Sequence, residues 1–207
     1  MLPSSDVLPP AFFPVGLNLV GRRCVVVGDD REAAEKAAAL ASAGAEVVRV
    51  LNATELRDED LAAAFFVIAT PQDAALGARL RTLADAHRFL LCCIDQPAYG
   101  FVAMQAIVAS GPARIAISTG GVAPRVGKLL KQGLERALGP RFARFLECHR
   151  ALRRRVRSAG ANADERRHAM IALADGFALE VRVRYPAWFE DAEHRLGPTV
   201  TNATGEE

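Results

Sequence analysis

What the 207-residue chain lacks narrows its function first. The formal net charge is only +2, so there is no bulk attraction to nucleic acid. No apolar run approaches the roughly 20 residues that a membrane-spanning helix requires. The opening stretch, MLPSSDVLPPAFFPVGLNLVGRR, has neither a basic n-region nor a long apolar h-region, so it does not read as a secretory signal. It reads as an irregular, proline-rich lead-in, and a cytoplasmic location is expected. Cysteine is scarce: Cys24, Cys92, Cys93 and Cys148 match no zinc spacing, and they are expected to be buried or inert thiols in a reducing compartment. His87, His149, His168 and His194 form no close pair, so no metal site is expected.

What is present is alternation. Apolar runs at 22–28, 46–51, 65–69 and 88–94 are short enough for strands. Between them lie segments of helical composition at 31–43, 58–64 and 73–87. This order predicts βαβ units, hence an α/β domain built on a mainly parallel sheet. A ligand crevice is expected at the carboxyl ends of the strands, where Gly28, Thr70 and Asp95 all fall. The run 103–109 is ambiguous, and 114–118 alternates as a strand. After Gly121 the pattern turns helical. One helix is expected from Pro124 to Gly139, a very basic one over 141–158, and a third over 162–185 with Pro186 just beyond its end. Arg150, Arg153, Arg154 and Arg157 recur at helical spacing, which fits a solvated surface or a grip on carboxylates. The tail from Gly197 is polar and is expected to be disordered.

Cys24 to Val50 carries the outline of a dinucleotide-binding unit: a strand, Gly28, a helix containing Ala33, and a second strand. The fingerprint's second glycine is missing. Asp30 stands there, with Asp29 beside it, and a carboxylate at that point repels a pyrophosphate. About 20 residues on, the second strand ends Arg-Val-Leu-Asn, with no acid to grip a ribose, and Arg49 is the only charge. Arg49 could weakly favour a 2′-phosphate.

Three segments, in order, resemble the precorrin-2 dehydrogenase/sirohydrochlorin ferrochelatase family, the N-terminal part of siroheme synthases. In VVVGDDREAAEKAAALASAGAEV the matching residues are Gly28, Ala33, Lys36, Gly44 and Ala45. In CCIDQPAYGF they are Asp95, Pro97 and Phe101. In IAISTGGVAPRVGKLLKQGLE they are Ser118, Thr119, Gly120, Gly121, Pro124, Lys128 and Glu135. The resemblance implies a Rossmann-like domain over 1–113, a dimerisation segment over 114–147, a small all-helical domain over 148–196 and a tail over 197–207. It also implies a homodimer that oxidises precorrin-2 with NAD, with Fe2+ as a possible second substrate for chelation to siroheme. Asp95 is then the acid/base residue. Gly28, Asp29, Asp30, Ala33 and Thr70 border the cofactor. Ser118, Thr119, Gly120, Gly121 and Lys128 border the carboxylate-rich tetrapyrrole. Departures stand out as well: Ala123 replaces a common serine before Pro124, Gln105 a proline, and Cys92 an asparagine. Two alternatives stay open: a tetrapyrrole chelatase that has lost NAD binding, and a non-catalytic binder of tetrapyrrole or partner.

Overall fold

A computed structural model describes residues 12–160 and 162–196. The first eleven residues of the lead-in and the polar tail from Gly197 lie outside the described residues. By internal contacts the chain forms two units, one up to Cys148 and one from His149.

In the first unit the apolar runs become parallel strands β1 (Arg23–Val27), β2 (Glu46–Val50), β3 (Phe66–Ala69) and β4 (Leu90–Cys93). They form one sheet in the order β2-β1-β3-β4. Helix α1 (Arg31–Ser42) links β1 to β2, α2 (Asp58–Ala62) precedes β3, and α3 (Ala74–His87) links β3 to β4. β1 and β3 are buried almost throughout, as expected for central strands covered on both faces. Alternation along β1 sends Cys24 and Val26 to one core with Ala33, Ala37 and Leu40 of α1. It sends Val25 and Val27 to the other, with Leu61 of α2 and Leu76 and Leu80 of α3. Cys92 and Cys93 likewise point to opposite faces.

Helix ends follow local chemistry. Asp73 caps α3 by accepting from the N–H groups of Ala75 and Leu76. Arg88, expected to begin a strand, instead closes α3 in the left-handed conformation, with φ of 63°. The ambiguous 103–109 run resolves into β5 (Ala106–Ser110), which pairs antiparallel with β6 (Ala113–Ile117) in a separate two-stranded sheet. Gly111, at φ of +54°, makes the tight turn between them. Helix α4 (Pro124–Ala137) packs along this hairpin, and α5 (Pro140–Ser158) follows. Pro124 occupies the first turn of α4, and Ala123 before it provides no side-chain cap.

The expected third helix over 162–185 is shorter in the structure. Helix α6 (Ala163–Ala174) opens with a capping box between Asn162 and Glu165 and ends before Gly176, which adopts φ of +75°. Residues 175–186 are not helical, and α7 (Ala187–Leu196) starts directly after Pro186. The reason is visible in Phe-Ala-Leu-Glu-Val-Arg-Val-Arg-Tyr, 177–185, whose apolar residues repeat every second position. That period cannot form one helical stripe. Among the described residues no helix is long and apolar enough to cross a membrane.

Candidate functional site

The carboxyl edge of the parallel sheet gathers the residues of interest in two neighbouring groups. The first surrounds the turn after β1. Gly28 adopts φ of +133°, and a Cβ there would lie 2.1 Å from Thr70 Oγ1. A side chain there would collide with that of Thr70, and glycine alone adopts this φ without strain. Ala33 is fully buried, so α1 packs tightly on the sheet. Two of the three fingerprint positions therefore have the form a dinucleotide turn needs.

The second position, Asp30, differs from expectation. Asp30 does not project as a loose carboxylate. It is the N-cap of α1: Oδ1 accepts from the Ala33 N–H at 2.7 Å, and Oδ2 accepts from the Thr70 hydroxyl at 2.6 Å. The Thr70 hydroxyl, then the Ala33 N–H, hold its carboxyl below the usual aspartate range, with Arg49 adding a smaller pull. The helix start thus carries an internal anion. The glycine turn and the buried Ala33 suit a dinucleotide approaching the sheet edge, while its pyrophosphate would meet a bonded, ionised side chain at the helix start. Asp29 is exposed. Arg49 reaches back from β2 and donates from Nη2 to the Gly28 carbonyl at 3.0 Å.

The second group centres on Asp95, just beyond β4. Its backbone sits at φ of +57°, a region that non-glycine residues seldom occupy and that Asp tolerates better than most. The turn is held by Gln96 N–H to Cys93 carbonyl and by Phe101 and Val102 N–H to Leu91 carbonyl. Tyr99 presses against α3 at Gly77, where a Cβ would come within 2.7 Å of the ring. Phe101 lies under the Arg81 guanidinium, 3.9 Å from its ring centre. So a short loop is pinned on both sides, and Asp95 is left exposed on the cleft side. Gln72, after β3, donates to Asp95 Oδ2 at 3.3 Å and links the two groups.

Asp95 lines a cleft of about 680 Å³ with Met104, Ser118, Thr119, Gly121 and Lys128. Gly120 borders an adjoining apolar depression instead, which shares Met104, Ser118 and Gly121 with the cleft. Gly120 and Gly121 take φ of +60° and +79°, and the space beside both is open. The Ser118 hydroxyl accepts from the Gly120 N–H at 3.2 Å, folding the loop back on itself. Lys131, Gln132 and Glu135 complete the α4 wall, with Lys131 paired to Glu135 at 3.7 Å. Sequence reasoning missed Gln72, Met104, Lys131 and Gln132. For the last two the signal was available, because 128, 131, 132 and 135 share one helical face.

Burial raises the thiols of Cys24 and Cys93 and pushes Cys92 up to about 11, so these three are inert as nucleophiles. Cys148 is exposed, which the expectation of buried cysteines did not distinguish. Among the described residues no three His, Cys, Asp or Glu side chains gather as a metal site.

A parallel sheet with a glycine turn, a capped helix start and a cleft at its carboxyl edge defines a Rossmann-like nucleotide-binding protein. Residues 15–106 match a family model described as "Putative NAD(P)-binding". Siroheme synthase of Neisseria meningitidis serogroup C (strain 053442) is 30% identical over 174 residues, covering 75% of this chain and 36% of that protein. Siroheme synthase of Methylococcus capsulatus (strain ATCC 33009 / NCIMB 11132 / Bath) is 29% identical over 203 residues, covering 89% of this chain and 42% of that protein. Among solved structures, one titled "SirC, precorrin-2 dehydrogenase" superposes with a TM-score of 0.67 at 18% identity, covering 80% of this chain and 90% of that chain. The chain is thus similar to siroheme synthases over 75% to 89% of its own length, and its likeness to the precorrin-2 dehydrogenase structure is one of fold. It spans only 36% to 42% of the length of those two relatives.

Proposed function

We propose that this chain oxidises precorrin-2 to sirohydrochlorin, with a nicotinamide dinucleotide accepting the hydride. The observation that carries this reading is Asp95: an exposed carboxylate on a pinned, left-handed turn, lining the cleft and linked through Gln72 to the end of β3. Precorrin-2 is a flexible, carboxylate-rich macrocycle. Lys128 and Lys131 on the α4 wall supply cations for its carboxylates, and the open backbone of Gly120–Gly121 lets the ring approach closely. Asp95 accepts a proton from the macrocycle as hydride leaves a ring carbon. Gln72 orients the carboxylate by donating to Oδ2. Gly28, Ala33 and Thr70 would hold the dinucleotide against the sheet edge, where its nicotinamide ring supplies the two-electron acceptor.

The same proposal places the enzyme in the cytoplasm and makes it a homodimer. Val126, Leu129 and Leu130 of α4 remain 43% to 50% exposed, and a second copy is the natural cover for such a stripe. Size-exclusion chromatography with light scattering tests that part: a monomer at all concentrations would rule it out.

A second reading is favoured by one observation, the bonded carboxylate of Asp30 at the start of α1. If it bars the dinucleotide, the cleft serves metal insertion, with Fe2+ as substrate and Asp95 collecting the pyrrole N–H protons. An anaerobic assay following sirohydrochlorin absorbance separates the two. Oxidation of precorrin-2 that requires added dinucleotide supports the first reading. Iron insertion into sirohydrochlorin without any dinucleotide-dependent oxidation supports the second.

A further inference from the structure

We propose that residues 177–185 act as a β-strand that pairs antiparallel with the same segment of a second copy of this chain, centred on Val181. The pairing adds a contact of a different kind to the homodimer proposed above, and it does not depend on the reaction.

The segment runs Phe-Ala-Leu-Glu-Val-Arg-Val-Arg-Tyr between α6 and α7. Its branched and aromatic residues recur at every second position, which is the composition and the period of a strand. Gly176, at φ of +75°, turns the chain away from α6, and Pro186 precedes α7. The chain offers this segment no sheet. Among the described residues, no backbone hydrogen bond joins 178–185 to another element. Phe177, Leu179, Val181, Val183 and Tyr185 are all 48% to 63% exposed. An alternating segment with open N–H and C=O groups is a template for strand addition.

The charge pattern decides what adds. Laid antiparallel about Val181, the segment meets its own copy with Phe177 opposite Tyr185, Leu179 opposite Val183 and Val181 opposite Val181. The apolar residues then share one face of the ribbon. On the other face Glu180 falls opposite Arg182, and the two-fold axis repeats that pair. Neighbouring registers fail. Sliding by two residues sets Glu180 against Glu180 in one direction and Arg182 against Arg182 in the other. Sliding by one residue sets apolar side chains against polar ones. Parallel pairing in register stacks like charge on like charge at 180, 182 and 184. Of these alignments, the one centred on Val181 alone faces opposite charges and no like ones.

The ends of the ribbon fit as well. The Tyr185 ring lies 5.1 Å from that of Phe189, which Trp188 meets edge-on at 5.9 Å. Phe177 of the second copy, arriving opposite Tyr185, extends this aromatic group at each end.

The test uses the full chain carrying Cys148→Ser, which removes the exposed native thiol. In that background Val181→Cys sets a thiol opposite its own copy, within reach of a disulfide. Under mild oxidation this variant is expected to cross-link between chains at least tenfold faster than Leu179→Cys or Val183→Cys alone. Mixing the last two is expected to restore fast cross-linking, because 179 faces 183. Glu180→Arg and Arg182→Glu, each added to Val181→Cys, are expected to slow cross-linking, and an equimolar mixture of the two to recover it. Thermal melts verify that each variant is folded. Equal rates at 179, 181 and 183, or charge reversals that leave the rate unchanged, overturn the proposal. Absence of the Val181→Cys cross-link while light scattering reports a dimer also overturns it. The segment then covers its own chain or another protein, and the α4 contact stands alone. A monomer at all concentrations, with no cross-link, removes this proposal and the homodimer reading together.

Discussion

The hydroxyl of Thr70, at the end of β3, donates a 2.6 Å hydrogen bond to the carboxylate of Asp30, at the start of α1. Two elements far apart in sequence are thus joined at the point where a pyrophosphate would arrive. Replacing Asp30 with Gly frees the first N–H groups of α1 and removes a negative charge. Both NAD+ and NADP+ are expected to bind at least tenfold tighter to this variant by calorimetry. Asp30→Ser keeps a cap without the charge and should recover most of that gain. Unchanged affinity in both variants would show that the carboxylate does not compete with the cofactor.

The same bond gives a signed pH effect. Asp30 has a folded pKa below the ordinary aspartate value because Thr70 and Ala33 hold its ionised form. Its stabilising contribution is therefore complete above the unfolded value of about 3.9 and is lost as pH falls through the lower folded value. Denaturant melts below about pH 4 should show a steeper loss of stability in the wild type than in Asp30→Asn. Parallel curves would mean the bond adds nothing to folding.

Asp95→Asn should preserve the left-handed backbone at position 95, because Asn tolerates it as Asp does. Circular dichroism and melting midpoint should match the wild type. Turnover of precorrin-2 should fall by about 100-fold or more, the scale of a lost general base. Turnover near the wild-type rate would remove Asp95 from the chemistry.

Gly28→Ala should be severe. The added methyl would lie 2.1 Å from Thr70 Oγ1, and φ of +133° is strained for any side chain. The backbone strain alone is about 1–3 kcal/mol. Gly28→Ala with Thr70→Ala should relieve the clash but not the strain, so the double variant should regain only part of the lost stability in urea melts. Full recovery would show that sterics alone define the turn.

Thiol accessibility checks the burial pattern. Cys24, Cys92 and Cys93 are buried and Cys148 is exposed. A disulfide reagent should therefore titrate one thiol quickly in the native chain and all four after unfolding. The fast thiol should vanish in Cys148→Ser.

Much of this was legible in the sequence because it depended on short-range pattern. Buried parallel strands read as apolar runs, and α3 read as a segment of helical composition over 73–87. What escaped depended on partners or on competing periods. The segment 103–109 is too short to distinguish strand from helix until its hairpin mate is present. The segment after Gly176 mixes residue types that suit a helix with an alternation that does not. The charge of Asp30 was obvious, but its direction was not, since a carboxylate beside a helix start can face solvent, ligand or the helix itself. Only the nearness of Thr70, forty residues away, settles which.

The left-handed turn at position 95 limits what this site can become. Few residues other than Gly, Asn and Asp sit easily at that backbone angle, and Asn differs from Asp by a single amide group. On the role proposed for Asp95, a descendant of this chain would lose its activity by one change at position 95 while keeping every strand, helix and cleft wall in place. Such a chain would be indistinguishable in outline from a working enzyme, and one side-chain atom would tell them apart.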